Sequence, residues 1–135
     1  MATSPRFTKT VVRVPRVEIT DTTLTTVYAA NATYDTRITG ITVSCDDSSA
    51  QTLKFYVNDG TNDVQVGFVS IPITAGTATN QAVGIIASLP GVFREKDSNG
   101  VTILNLPIGG SLKVQMAAVT GGKKFWVFIK AELYD

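Results

Sequence analysis

The sequence has no histidine and a single cysteine, Cys45. Without histidine, neither a Ser-His-Asp nor a Cys-His arrangement can form, and the usual general base near neutral pH is missing. One cysteine allows no intrachain disulfide, and zinc and iron–sulfur sites need clusters of Cys or His. The position of Cys45 on an inward-facing strand predicts an inert core residue. These absences predict a protein that is not an enzyme and that carries no metal or cofactor.

Charge and long apolar runs are also scarce. Charged residues make up 17% of the chain, below the roughly 25% typical of soluble domains, and the formal net charge is +1. No strong field therefore draws in nucleic acid or an anionic membrane. The longest apolar runs, such as residues 82–87, are too short to span a bilayer, and the N-terminus lacks the apolar segment of a signal peptide. We expect neither nucleic acid nor a membrane as a partner.

Close carboxylate pairs are the remaining candidates for chemistry, and all of them fall in predicted loops. Such pairs could serve a glycosidase or bind calcium, but the run 58–63 lacks the bidentate Glu that completes an EF-hand loop. Aspartates in turns commonly accept hydrogen bonds from nearby backbone, and we favour that interpretation. The pairs are Asp46 with Asp47, Asp59 with Asp63, and Glu95 with Asp97.

What the sequence does contain is period-two alternation of apolar and polar residues, which predicts β-strands. About eight strands separated by turn residues, without a helical pattern between them, predict an all-β fold, an antiparallel β-sandwich or jelly roll. The length of 135 residues fits one such domain. The clearest strands are 24–30, 37–45, 51–57, 64–68, 101–106, 112–116 and 125–133.

Three local features refine this pattern. Ile38 and Ile41 lie on opposite parities across Gly40, which predicts a β-bulge there. The Asp59-Gly60 pair predicts a hairpin between residues 51–57 and 64–68, with Val64, Val66 and Phe68 facing the core. The polar run 94–100 predicts an exposed loop or hairpin tip.

Residues 1–19 differ from the rest in charge and define a predicted extended basic N-terminal arm, followed by a β-sandwich domain over residues 20–135. Pro15 cannot donate to a ladder, so the arm is expected to be an edge strand or a strand that leaves its own sheet. Its backbone could then add to the edge of a neighbour's sheet. Residues 1–17 contain four basic residues and no acidic residue: Arg6, Lys9, Arg13 and Arg16.

Trp126 and Phe128 share the face opposite the inward set of the last strand. Cover by a loop, the arm or another subunit is the favoured interpretation, and a platform that stacks on a ligand is the alternative. We expect other protein subunits to contact this face, residues 1–19 and the loops 46–50 and 94–100. The candidate contact residues are Arg6, Lys9, Arg13, Arg16, Arg94, Lys96 and Trp126.

Four segments in order, TTLTTVYAANATYDTRITGITVSCDD, LKFYVNDGTNDVQVGFVSIP, LPGVF and LNLPIGGSLKV, followed by a hydrophobic strand, resemble the small β-sandwich structural proteins of tailed bacteriophages. The resemblance covers residues 24–133 and implies a capsid decoration, or cement, protein. It implies a homotrimer that binds the major capsid protein on the capsid surface of the virion, after assembly in the host cytoplasm. It also implies that the protein has no cofactor and no enzymatic activity.

Two alternatives stay open. The chain could be an adhesive or carbohydrate-binding module of a phage head fibre or tail, with Trp126, Tyr56 or Tyr134 stacking on sugars. It could also be a structural component of the tail or neck, which would differ from a cement protein only in its location.

Overall fold

The computed structural model describes residues 8–13, 15–30, 35–84, 94–96, 102–106 and 108–134. Within these ranges all strands pair antiparallel in two sheets and no helix is present, which confirms the all-β sandwich. The strands are β1 (Thr8–Arg13), β2 (Arg16–Ile19), β3 (Thr25–Ala29), β4 (Asp35–Cys45), β5 (Gln51–Asn58), β6 (Asp63–Ile71), β7 (Val83–Gly84), β8 (Arg94–Lys96), β9 (Thr102–Leu106), β10 (Ser111–Met116) and β11 (Phe125–Tyr134).

The strands divide between a larger sheet A and a smaller sheet B. Sheet A has the order β1-β11-β4-β9-β8, with β2 also paired to β11 and β7 also paired to β4. Sheet B has the order β3-β10-β5-β6. The chain passes repeatedly between the sheets, so both sheets contribute to one core.

The core lies between the two sheets and follows the alternation seen in the sequence. Inward residues of β11 and β4 meet inward residues of β5 and β10, and most of these side chains are fully buried. Complete burial of such a side chain contributes roughly 1.5–3 kcal/mol. The fully buried residues include Val43, Cys45, Leu53, Phe55, Leu112, Val114, Phe125, Val127 and Ile129.

The predicted bulge at Gly40 is confirmed. Lys130 pairs with Gly40 and the next residue of β11 pairs with Ile38, so Thr39 is an extra residue in β4. Both Ile38 and Ile41 are therefore buried despite their opposite parities. A Cβ at Gly40 would come within 3.4 Å of the Cβ of Lys130, so the position is close to its neighbour across the ladder.

The hairpin of β5 and β6 is also confirmed, with Gly60 at a φ of 103° in its turn. Its inward set differs from the prediction, because the register skips one residue of β6, Val66. Val66 is 6% exposed, whereas Phe68 is 67% exposed and Val64 is 54% exposed. The prediction that Phe68 faces the core is wrong, since the bulge at Val66 reverses the phase of the residues that follow it. Val64 precedes the bulge and pairs with Val57, and it is exposed although its phase is unchanged.

Residues 8–13 and 16–19 of the predicted arm lie on sheet A of their own chain. Strand β2 pairs with residues 125–128 of β11 and β1 pairs with its residues 131–134. Between them the carbonyl of Pro15 accepts a hydrogen bond from the amide of Ile129 at 3.2 Å. Ile19 is 2% exposed and belongs to the core. This part of the arm therefore forms an edge of sheet A, where it pairs with backbone groups of β11 that would otherwise lack partners.

The polar run at residues 94–100 begins as a strand. Residues 94–96, predicted as part of a loop, form β8 and pair with β9. Alternating charge of both signs does not prevent pairing at a sheet edge, where one side of the strand faces solvent. Residues 97–100 lie outside the described residues.

The bulge in β6 gives a stability prediction for two phenylalanines of one hairpin. Phe55→Ala should lower the free energy of unfolding by about 3–5 kcal/mol, because it leaves a cavity in the core. Phe68→Ala should change it by less than about 0.5 kcal/mol, since that ring is already in solvent. Urea unfolding of both variants measures the difference. Equal losses would contradict the register described for β6.

Candidate functional site

The outward face of sheet A carries the two aromatic side chains that the sequence predicted to lie opposite the inward residues of β11. Because alternate residues of β11 enter the core, Trp126 and Phe128 must project from the opposite face. Both are half-buried. We call this surface the aromatic face; it consists of Arg16 and Glu18 on β2, Thr42 and Ser44 on β4, and Trp126 and Phe128 on β11.

The register fixes how these side chains are arranged. Trp126 lies between Glu18 and Ser44, and Phe128 lies between Arg16 and Thr42. Directly opposite residues in such ladders have Cβ atoms about 4.5–5.5 Å apart. The two rings therefore form a row along the centre of three paired strands, with polar side chains on both sides.

The rim of the aromatic face has mixed charge. Nζ of Lys124 lies 3.4 Å from Oε1 of Glu18, and both side chains are substantially exposed. Exposed ion pairs of this kind contribute about 0–1 kcal/mol to stability. Arg16 and Lys130 are also exposed. A flat aromatic centre with a polar rim is the arrangement typical of protein interfaces, and exposed rings also stack on sugars.

Sheet A holds the predicted contact residues that the structure describes. It places Arg16 opposite Phe128 and diagonal to Trp126, two pairs along the ladder of β2 and β11. Lys9 and Arg13 belong to β1 at the same edge, whereas Arg94 and Lys96 belong to β8 at the far edge. The contact residues thus do not form one cluster. Arg6 lies outside the described residues.

Asp47, part of the predicted contact loop 46–50, has a structural position instead. Its carboxylate accepts hydrogen bonds from the amide and the hydroxyl of Thr120, at 2.9 and 2.7 Å, and from the amide of Ser49 at 2.9 Å. The amide group of Gln51 donates at 3.4 Å. The side chain is buried. Asp47 therefore ties the loop after β4 to the loop before β11, while residues 48–50 are exposed.

The electrostatics of Asp47 follow from these contacts. Burial raises the pKa of the carboxyl, but the hydrogen bonds from Thr120, Ser49 and Gln51 outweigh burial, so the pKa lies below its usual value. The charged form is thus the one that the fold favours.

Three other aspartates of the candidate pairs also make polar contacts within the chain. Asp46 accepts from the amide of Lys124 at 2.7 Å. Asp59 accepts from the amides of Asn62 and Thr61 within the hairpin turn, and these bonds lower its pKa. Asp63 accepts from Asn58 at 2.7 Å and pairs with Lys113 at 2.9 Å, which together lower its pKa. The contacts of Asp59 agree with the interpretation as a turn residue, whereas Asp46 and Asp63 also contact lysines that are distant in the sequence.

The outward face of sheet B carries a polar network that the sequence did not indicate. The hydroxyl of Tyr56 lies 3.0 Å from Oε1 of Gln115 and 3.4 Å from Oε1 of Gln65. The side-chain amide of Gln115 donates to the carbonyl of Thr22 at 3.1 Å. Phe68 lies on the same face, opposite Lys54.

The exposure of Phe68 had a signal in the sequence. Val66 and Ile71 are both buried although their parities differ, and Gly67 lies between them. The same signature, a change of parity across a glycine, predicted the bulge at Gly40.

Cys45 is buried as predicted, with Sγ 3.5 Å from the carbonyl oxygen of Pro72. In the described part of the chain, no three or more Asp, Glu or Cys residues gather in a way that could hold a metal ion. Nor does that part include a helix of the length and hydropathy needed to cross a bilayer.

Comparisons of this chain with protein-family models, with curated proteins and with solved structures give no match.

The contacts of Asp47 predict a pH-dependent loss of stability in Asp47→Asn. At pH 7 the variant should unfold at lower urea, with a loss on the order of 1–3 kcal/mol, because hydrogen bonds to a buried charge are removed. The pKa of Asp47 is lower in the folded than in the unfolded state. Its contribution is therefore complete above the unfolded value of roughly 3.9 and is lost as the pH falls toward the folded pKa.

Urea unfolding at several pH values on either side of roughly 4 tests this expectation. The difference between wild type and Asp47→Asn should narrow below that pH. The matched control is Asp21→Asn, since Asp21 is exposed and accepts only from the amide of Thr23. A difference that stays constant with pH, or equal losses in both variants, would show that Asp47 does not act through its charge.

Proposed function

We propose that this chain is a virion structural protein of a tailed bacteriophage, a capsid decoration or cement protein that binds the outside of the head and stabilises it. The observation that carries the proposal is the aromatic face of sheet A, where Trp126 and Phe128 form a flat, half-buried row with a polar rim. Such a row suits contact with another protein surface, because tryptophan is enriched among residues that dominate binding energy.

The aromatic face is built on the least adjustable part of the fold. Strand β11 is paired on both sides and has a core residue at every second position. Trp126 and Phe128 therefore cannot turn inward without a change of register that would expose the core. A surface held in this way loses little conformational freedom on binding, which favours affinity.

The phage assignment rests on the ordered segments that resemble small phage structural proteins. These segments include β3 and β4, β5 and β6, and β9 and β10, so the resemblance extends over strands of both sheets. On this proposal the partners are the major capsid protein and further copies of the chain in a homotrimer. A cement subunit need contribute only a few kcal/mol, because a ligand of the assembled shell shifts the assembly equilibrium by its binding free energy.

The proposal assigns no catalysis to the chain. Its described loop carboxylates Asp46, Asp47, Asp59 and Asp63 are all engaged in hydrogen bonds that support turns, loops or a ladder. Carboxylates that these partners hold in one orientation suit a structural role better than proton transfer.

A carbohydrate-binding module of a head fibre or tail is the second candidate, and the same face favours it. Trp126 is half-buried, so part of its ring is open to solvent, as stacking on a sugar requires. Tyr56, another suggested stacking residue, lies on sheet B and cannot join Trp126 in one site. Tyr134 lies at the end of β11.

The cement proposal predicts a change in the heat stability of phage heads. Particles assembled without this chain should release their DNA at a lower temperature than complete particles, and added purified protein should restore the difference. Trp126→Ala protein should restore it less well, because the centre of the contact is removed. A nuclease-coupled fluorescence assay of DNA release during heating measures the transition.

Ile108→Ala is the matched control, since Ile108 is an exposed apolar residue outside sheet A. It should restore heat stability as well as the wild type does. Unchanged DNA release in particles that lack the chain would refute the cement proposal. Binding on a glycan array that disappears in Trp126→Ala would then support the carbohydrate-binding module.

A further inference from the structure

Strand β6 is an unusual sheet edge. It is the last strand of sheet B, and within the described ranges no strand pairs with its second side. It is nine residues long, and from Val64 to Ile71 it contains no charged residue. Long uncharged edges are the ones that other strands pair with, because their N–H and C=O groups lack partners.

The other described edges carry features that discourage pairing. Strand β8 consists only of charged residues, Arg94 to Lys96. Strand β1 includes Lys9 and Arg13, and its register with β11 is irregular. The register shift in the ladder of β3 with β10 leaves two residue pairs on either side of it, whereas β6 keeps five pairs in regular register beyond its bulge. Short, charged or bulged edges are the usual protections against pairing, and β6 has only the bulge at Val66.

Beyond that bulge β6 displays an apolar side chain. Phe68 is 67% exposed on the outward face of sheet B, opposite the half-buried Lys54. The segment from Gly67 to Ile71 pairs regularly with β5, without a further register shift. Pro72 follows directly and ends it. A regular strand of this length with a ring at its solvent side offers both backbone groups and an apolar contact to a partner.

We infer that β6 pairs with the β6 strand of a second copy, antiparallel and about a two-fold axis near Phe68. N–H and C=O groups that no described strand pairs with are best satisfied by another strand, and self-pairing places no like charges opposite each other because the segment is uncharged. Each copy has one such edge, so pairing two copies satisfies both edges and the contact closes.

The two-fold arrangement makes Phe68 the centre of the contact. The two B sheets then form one continuous sheet, and their outward faces lie on the same side of it. With the axis near Phe68, the two Phe68 rings lie directly or diagonally opposite each other, within reach of aromatic contact. This contact does not rest on capsid binding. Together with the contacts of the proposed homotrimer, it joins two trimers into one closed assembly, so its loss halves the number of copies.

The test introduces a charge of either sign at position 68, near the proposed axis. Phe68→Lys and Phe68→Glu should each halve the copy number that sedimentation equilibrium gives for the wild type, because identical charges then face each other across the axis. An equimolar mixture of the two variants should regain the wild-type copy number, since opposite charges now meet. Ile108→Lys, which charges an exposed apolar residue outside β6, should keep the wild-type copy number.

Circular dichroism and thermal unfolding check that both variants keep the wild-type fold, as expected for an exposed position. A monomeric wild type, an odd copy number, or variants that keep the wild-type copy number would overturn the inference. A mixture that fails to associate would overturn it as well, because only self-pairing brings position 68 against itself. The heat stability of phage heads is measured in a separate experiment. The copy number from sedimentation equilibrium can therefore be interpreted even if the cement proposal fails.

Discussion

Two-sided pairing of β11 is the constraint on which the other features of this molecule depend. The strand lies between β4 on one side and β1 with β2 on the other, and its inward residues Phe125, Val127 and Ile129 form the centre of the core. A shift by one residue would move every one of these side chains to the surface. The same alternation that buries them keeps Trp126 and Phe128 outside. The core and the aromatic face are therefore two consequences of one register.

Much of the fold could be predicted because strand alternation is a local property. The strands β3 to β6 and β9 to β11 appear in the sequence with boundaries close to those observed, and the change of parity across Gly40 located a bulge correctly. The equivalent change across Gly67 was overlooked, and Phe68 was therefore placed in the core although it is exposed. Val64, Val66 and Phe68 occupy alternate positions and so predict a single inward face. Ile71 is buried although it lies at the other parity, and that difference indicates the bulge.

Other features could not be predicted because they depend on contacts that are distant in the sequence. The partner of Asp47, Thr120, is 73 residues away, and only the folded sandwich brings their loops together. Asp46 and Asp47 form a pair of carboxylates by sequence alone. In the structure Asp46 accepts a hydrogen bond from Lys124, whereas Asp47 accepts from Thr120. The pairing of β1 and β2 with β11 is similarly non-local, since their basic residues suggest a separate arm until the register with β11 is known.

We propose that the chain lies on the outer surface of a phage head and contacts the shell through sheet A. Image reconstruction of intact particles would locate the protein in a single experiment. We expect density for the β-sandwich on the outside of the head, with Trp126 and Phe128 turned toward the capsid protein. Absence of this density from the head, or a sandwich whose aromatic face points to solvent, would refute the proposal.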